Sequence, residues 1–211
     1  MSAPSASLTS PGSSSALDEE TARAELYGLL SQLYYAAPSA DLMSALRVAV
    51  TEAPAEGGFL QEPWQQLVGA ARAQDDAAIA HEFDRLFGGV GKPEVYLYGS
   101  HYLSGFLNEK PLARLRTDLD RLGLARDDAM PETEDHVAYL CEVMRYLVAG
   151  DDVAVCNLTA QRDFFATHLQ PWIPQLCDVL AAHPQARFYA ALAQFTRAFA
   201  SVEAQGFDML D

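Results

Sequence analysis

The sequence predicts an all-α protein, and three observations support this fold class. Alanine (35 residues) and leucine (27) outnumber valine, isoleucine and threonine, which together total 22. Ala and Leu lose little free energy on entering a helix, whereas β-branched residues lose more. Apolar residues recur at the i, i+3, i+4, i+7 spacing of one helix face, and no pair of strands or internal repeat is found. We therefore expect about nine or ten helices in one globule, or two helical subdomains joined by a hinge near 124–132.

Four helices are predicted before residue 90. The first runs from about Asp18 and buries one leucine face: Leu26, Leu29, Leu30 and Leu33. Ser39 and Asp75 have side chains suited to cap the second and fourth helices. The third helix is marked by Trp64, Leu67, Val68 and Ala71. Gly88 and Gly89 end the fourth.

The middle of the chain contains two connectors. Residues 88–97 carry three glycines and Pro93, which predicts a loop. Pro111 is placed well for the first turn of the next helix, because its missing N–H is harmless there. An acidic connector at about 124–132 follows. The next helix is predicted over about 134–149, with Thr133 as its N-cap. The remaining helices are predicted at about 152–168, 172–182 and 185–204.

The N-terminal residues 1–17 contain no charged side chain and no long apolar run. A secretory signal needs a basic segment followed by 7–15 apolar residues, so we predict a disordered tail over 1–17 and a helical domain over 18–211. No stretch of 18 apolar residues occurs, and stable membrane insertion is therefore not expected.

The charge excludes several partner classes. The chain of 211 residues has 14 Lys and Arg against 29 Asp and Glu, which gives a net charge of −15. Nucleic acids and anionic membranes both favour clustered basic residues. A basic protein partner fits this charge better. Residues 124–152 include eight acidic residues and only two arginines, so part of the excess negative charge is concentrated there.

The sequence offers little for catalysis or metal binding. The five histidines show no metal-ligand spacing, and no nucleophile or phosphate-loop motif occurs. Cys141, Cys156 and Cys177 are widely spaced and contain no CxxC pair. Such cysteines are typical of core residues in a reducing, cytoplasmic compartment. We therefore expect no catalytic residue, no metal site and no cofactor.

Two segments have unusual chemistry. Tyr96, Tyr98 and Tyr102 cluster with His101 just after the glycine-rich loop. Their rings suit peptide recognition, or they attach the loop to the core. The second segment is 131–136, with sequence Pro-Glu-Thr-Glu-Asp-His. It is either a helix start with a core histidine, or part of a binding site.

The order of several short motifs resembles the TorD/DmsD family of cytoplasmic redox-enzyme maturation chaperones. The motifs are Phe83-Asp84-Arg85-Leu86-Phe87, Tyr98-Gly99-Ser100-x-Tyr102, Leu112-x-x-Leu115-Arg116, Leu122-Gly123-Leu124 and Glu132-x-x-Asp135-His136-Val137. The matching stretch runs from about 79 to 149. The loop departs from the family pattern at 94–97, and Thr133 stands where proline is usual.

The resemblance implies a protein without a reaction of its own. Such chaperones bind the twin-arginine signal peptide, or the apo form, of a molybdopterin-dependent oxidoreductase before its export. They occur as monomers or domain-swapped homodimers. The alternatives are a weak nucleotide-binding or nucleotide-hydrolysing enzyme, and a helical adaptor for another basic and apolar peptide.

The resemblance also implies a set of peptide-binding residues. They are Tyr34 or Tyr35, Phe83, Leu86, Phe87, Tyr98, Ser100, Tyr102, Glu132, Asp135 and His136. Carboxylates such as Asp135, Glu132 and Glu134 suit the guanidinium groups of such a peptide. The aromatic residues suit its apolar helix face.

Overall fold

The computed structural model describes residues 12–51, 58–88, 92–107, 110–127 and 130–209. Over these residues the chain forms ten α-helices and no strand. In order they are α1 (Gly12–Tyr35), α2 (Ala40–Val48), α3 (Gln61–Ala73), α4 (Asp76–Leu86), α5 (Gly99–Ser104), α6 (Lys110–Arg121), α7 (Val137–Ala149), α8 (Leu158–His168), α9 (Ile173–Ala182) and α10 (Phe188–Asp208). The all-α prediction is therefore confirmed.

Helices from both ends of the chain share one core. Helix α1 packs along α7, and α10 packs against α3, α4 and α9. The connector at 124–132 thus separates helices in sequence but not in space. The fold is a single globule, which agrees with the first of the two arrangements predicted and not with two subdomains.

Trp172 lies in the core beside α5. Its side chain is fully buried, its Nε1–H donates to the carbonyl of His168 at 2.6 Å, and Tyr102 stacks on it with ring centroids 5.5 Å apart. A Cβ atom on Gly99 would lie 3.0 Å from the Trp172 Nε1 atom. The absence of a side chain at Gly99 therefore lets the start of α5 pack closely on the indole.

The predicted caps of two early helices are confirmed. The Ser39 hydroxyl accepts the N–H of Leu42 at 3.2 Å. The Asp75 carboxylate accepts the N–H of Ala78 at 2.7 Å. Each side chain satisfies a backbone donor that the first helical turn leaves without a partner.

Helix α10 is capped by a residue from a distant helix. The buried carboxylate of Glu82, in α4, accepts the N–H groups of Arg187 and Tyr189 at 2.8 Å and that of Phe188 at 3.2 Å. The negative charge also lies at the positive end of the helix dipole. This contact fixes where α10 starts and anchors α4 to it.

The start of α7 differs from the prediction. The helix begins at Val137, and Thr133 is not its N-cap. The Thr133 hydroxyl instead donates to Asp135 at 2.6 Å, and the His136 Nδ1 atom accepts the N–H of Ala138 at 3.2 Å. The predicted Thr133 cap is therefore wrong, because the side chain of Asp135 draws the threonine hydroxyl away from the helix.

Other boundaries also shift. Helix α8 begins at Leu158, six residues after the predicted start, because Asn157 caps it and Asp152 holds a turn before it. Helix α1 begins at Gly12, so residues 12–17 of the predicted tail belong to a helix. The rest of that tail, 1–11, lies outside the described residues. Over the described part of the chain, no helix combines the length and apolar character needed to span a bilayer.

Candidate functional site: a groove beside helix α7

The loop before α5 is attached to the start of α7 by backbone hydrogen bonds. The Val137 N–H donates to the carbonyl of Leu97 at 2.8 Å, and the Gly99 N–H donates to the carbonyl of Asp135 at 2.9 Å. Tyr98 and His136 face each other across this short antiparallel contact. The two unusual segments of the sequence therefore form one structural unit.

Asp135 lies inside this unit rather than on the surface. Its side chain is only 3% exposed. One oxygen accepts the N–H of buried Ser100 at 2.9 Å, and the other accepts the Thr133 hydroxyl at 2.6 Å. Both carboxylate oxygens are thus engaged with the chain itself, which assigns Asp135 a role in positioning the loop.

His136 is also buried, and it is neutral in the folded protein. Because its Nδ1 atom accepts the N–H of Ala138, that nitrogen carries no proton. Burial lowers the pKa of His136 to about 4, against a smaller opposite effect of the carboxylates of Glu132 and Asp135. A proton on Nδ1 would remove the cap of α7.

The pKa of His136 predicts acid sensitivity. A histidine in the unfolded chain takes up a proton near pH 6.5, whereas His136 in the fold resists it until about pH 4. The unfolded state therefore binds more protons between these values, and stability falls as the pH falls through this window. Between pH 7.5 and pH 5 the free energy of unfolding should drop by about 2 kcal/mol from this residue.

Chemical denaturation at several pH values checks this expectation. His136→Asn keeps a short polar side chain at the cap but cannot titrate. Between pH 7.5 and pH 5 its free energy of unfolding should therefore fall by about 2 kcal/mol less than that of the natural protein. His168, which burial also gives a lowered pKa, remains in both proteins and serves as an internal reference. An unchanged pH dependence in His136→Asn would contradict the assignment.

A row of aromatic rings leads from this unit to the surface. The Tyr98 hydroxyl donates to the carboxylate of Glu132, and the Tyr98 ring makes an edge contact with His136. His136 in turn lies 5.8 Å from the ring of Tyr139, which lies 5.9 Å from the ring of Tyr35. Burial and the Glu132 carboxylate hold the pKa of Tyr98 well above its usual range, so its hydroxyl remains a donor.

The row ends at a groove of about 340 Å³ between α7, the end of α6 and the connector. Its floor is mainly apolar: Leu119, Leu124, Ala125, Met130, Tyr139, Val143 and Tyr146. Charged side chains complete the lining: Arg126, Asp127, Glu134 and Glu142. The sulfur of Met130 accepts the Tyr139 hydroxyl at 3.2 Å, which joins the connector to α7.

Two of the acidic groups of the groove, Glu134 and Glu142, are paired with exposed arginines. Arg116 donates two hydrogen bonds to Glu134, at 3.0 and 2.9 Å. Arg145 donates to Glu142 at 2.8 Å. Partial burial raises the pKa of Glu134, but the hydrogen bonds that it accepts and the charges of Arg116 and Arg126 together outweigh burial, so the pKa is lowered. Exposed pairs of this kind contribute about 0–1 kcal/mol, so another guanidinium can exchange with them at little cost.

The aromatic residues predicted on α4 form a separate cluster. Phe83 and Phe87 contact each other and Tyr189, with ring centroids 4.9 to 5.9 Å apart, and Leu86 on the same helix is fully buried. Phe83 and Phe87 are partly buried and pack against the core. This cluster is joined to α1 through Tyr34, whose ring lies 6.5 Å from that of Phe87.

The structure distinguishes the two tyrosines at the end of α1. Tyr34 is fully buried, and its hydroxyl lies 3.0 Å from that of Thr196. Tyr35 is 42% exposed and faces Met130 and Tyr139. Of the pair, Tyr35 is therefore the residue next to the groove.

Tyr102 lies on the other side of the loop. Its hydroxyl donates to the carbonyl of Tyr96 at 2.8 Å, and its ring stacks on Trp172. Burial raises the pKa of this hydroxyl. Tyr96 in turn stacks on His101, with ring centroids 4.1 Å apart. These contacts match the interpretation in which the tyrosines attach the loop to the core.

Sequence reasoning missed three groove residues on α7. Tyr139, Val143 and Tyr146 follow the i, i+4, i+7 spacing of one helix face. The opposite face of α7 is buried in the core and carries Val137, Leu140, Cys141, Met144, Leu147 and Val148. A second apolar face on a helix whose first face is already buried is a signal of a binding surface.

Among the described residues, no group of three or more His, Cys, Asp or Glu side chains could hold a metal ion.

Comparison with protein families places the chain in a class of helical chaperones. The model of the nitrate reductase delta subunit family matches residues 54–178, more than half of the chain. The chain therefore belongs to this family, which comprises NarJ/TorD-type chaperones for molybdoenzyme maturation. The matched span includes the loop, the connector and α7, and the resemblance to the TorD/DmsD chaperones is confirmed. Comparison with curated proteins finds no match.

Proposed function

We propose that this protein is a cytoplasmic, client-specific chaperone for a molybdopterin-dependent oxidoreductase. It binds the twin-arginine signal peptide of the precursor, or its apo form, and assists maturation before export. It acts without a reaction or a cofactor of its own. Beyond family membership, the observation that carries the proposal is the apolar groove with an acidic lining beside α7.

The chemistry of such a signal peptide matches the groove. Its two arginines need carboxylates, which accept guanidinium hydrogen bonds in pairs. Its apolar segment forms a helix face that fits a hydrophobic groove. Tyr139, Val143 and Tyr146 supply the apolar surface, and Glu134 and Glu142 supply carboxylates whose present arginine partners are exposed.

The position of each of the other predicted residues decides its role in the proposal. Tyr35 and Glu132 lie next to the groove or at its aromatic row and contact the peptide in this proposal. Buried residues of the set hold the surrounding structure in place: Tyr34, Leu86, Ser100, Asp135 and His136. Tyr98 belongs to the aromatic row that leads to the groove, whereas the partly buried rings of Phe83, Phe87 and Tyr102 lie outside the groove and stabilise the neighbouring core.

Calorimetric titration with twin-arginine signal peptides of molybdoenzymes from the same genome tests the proposal. At least one peptide should bind, and a twin-lysine version should bind more weakly, because an ammonium cannot pair bidentately with a carboxylate. Equal affinity for the two versions would favour an adaptor for basic and apolar peptides in general. No binding by any peptide to the folded protein would contradict the proposal.

A substitution in the groove should separate peptide binding from folding. Tyr146 is 38% exposed, so Tyr146→Ser removes apolar contact area at little cost to the core. We expect peptide affinity to fall about tenfold, equivalent to about 1.4 kcal/mol. The matched control is Phe59→Ser, which removes an exposed ring outside the groove. Equal losses in both variants would place the binding site elsewhere.

A further inference from the structure

A second cleft, of about 390 Å³, shares no lining residue with the α7 groove. It lies between α5, the start of α6 and the turn before α9. Part of its wall is the buried unit already described, including Ser100 and Asp135. Its entrance is formed by Leu103, Pro111 and two basic residues, Lys110 and Arg114.

The positive charges at this entrance are only weakly neutralised by carboxylates. Arg114 is 69% exposed, and its nearest carboxylate, Asp118, is 3.9 Å away. Asp118 already accepts a hydrogen bond from Arg121 at 2.6 Å and contacts His168 at 2.9 Å. Lys110 is exposed, and within the described residues it has no ion pair. The entrance therefore presents two cations on a chain whose net charge is −15.

Exposed apolar side chains adjoin these cations in the chain. Leu103 and Leu107 are exposed, and Phe106 is 70% exposed after the left-handed turn at Gly105. Large apolar side chains next to uncompensated charge are typical of interaction surfaces. The α7 groove differs, because two of its carboxylates, Glu134 and Glu142, are already paired with arginines.

We infer that this basic and apolar cleft is a second docking surface, for an acidic protein segment with a large apolar side chain. A carboxylate of the segment pairs with Lys110 and Arg114, and its apolar side chain packs on Leu103 and Pro111 at the entrance. Two cations on an otherwise acidic protein are too few to hold a nucleic acid or an anionic membrane. Charge complementarity therefore selects an acidic protein segment.

The chain offers a matched pair of residues for the test, because Lys92 and Lys110 are its only lysines. The probe is a fluorescent synthetic peptide in which glutamates flank leucine and phenylalanine, and its control has glutamine at each glutamate. Anisotropy at low salt should show binding of the acidic peptide and about tenfold weaker binding of the control. Lys110→Glu with Arg114→Glu should also lose about tenfold, whereas Lys92→Glu should not.

Zero-length carbodiimide cross-linking supplies an independent readout. It joins a lysine amine directly to a carboxylate, so mass spectrometry should find the peptide on Lys110 and not on Lys92. Signal-peptide affinity should stay within about twofold in the Lys110 and Arg114 variant, which separates this surface from the α7 groove. Equal binding of both peptides, or equal cross-linking of both lysines, would overturn the inference. So would a dimer that the charge reversal dissolves, since the occupant would then be a second copy of the chain.

Discussion

Replacing Glu203 by alanine is expected to lower the free energy of unfolding by about 3–5 kcal/mol. The Glu203 carboxylate is buried in α10 and accepts two hydrogen bonds from Arg23 in α1, both at 2.8 Å. It also accepts the hydroxyl of buried Tyr27 at 2.9 Å. Alanine would leave a largely buried guanidinium and a buried hydroxyl without their acceptor, which is the costly way to break such a pair.

The double variant Arg23→Met with Glu203→Met is the control for this prediction. Two apolar side chains of similar length leave no unpaired charge. The double variant should therefore lose less free energy of unfolding than the single variants Arg23→Met and Glu203→Met lose together. Urea unfolding of the natural protein, the two single methionine variants and the double variant gives the coupling energy directly. A loss below about 1 kcal/mol in Glu203→Ala would mean that water reaches the pair in solution.

The local pattern of the sequence was sufficient for most helices. Apolar residues at the i, i+3, i+4, i+7 spacing and polar caps such as Ser39 and Asp75 act within one or two turns, so they can be recognised without knowing what packs nearby. The boundaries that differ depend on side chains with competing partners. Thr133 bonds to Asp135, and Asn157 ends a turn that the apolar pattern did not mark.

Contacts between distant residues could not be predicted in the same way. Glu82 and Glu203 lie within helices, where single acidic residues normally face solvent. Their partners are more than 100 positions away, and no local spacing indicates such a contact. The same limit applies to the candidate site: the motifs identified the loop and the start of α7, but not which of their side chains are buried.

The apolar face of α7 is the exception, since it could have been predicted. Tyr139, Val143 and Tyr146 repeat at helical spacing, on the face of α7 opposite to its buried residues. The sequence does not show which residues pack on that face. Connector residues Leu124 and Met130 reach it only through the tertiary fold.

Replacing Asp135 by alanine should lower the free energy of unfolding by about 2–4 kcal/mol. The change leaves the N–H of Ser100 without an acceptor in a fully buried position, and a buried unsatisfied donor of this kind costs about 1–3 kcal/mol. It also removes the hydrogen bond with Thr133. Thr133→Val removes that second bond alone and should cost about 1 kcal/mol. Thermal and urea unfolding measure both.

The conservative variant Asp135→Asn separates support of the site from contact with a peptide. Its amide oxygen can still accept the Ser100 N–H, so the loop should stay in place and stability should fall by less than about 1.5 kcal/mol. If Asp135 only positions the loop, this variant should bind signal peptide with nearly the affinity of the natural protein. A tenfold loss of affinity in a stable Asp135→Asn protein would instead show that the peptide reaches the carboxylate. Because Asp135 is buried with both oxygens engaged, we expect the first result, with the arginines of the peptide held by Glu134 and Glu142.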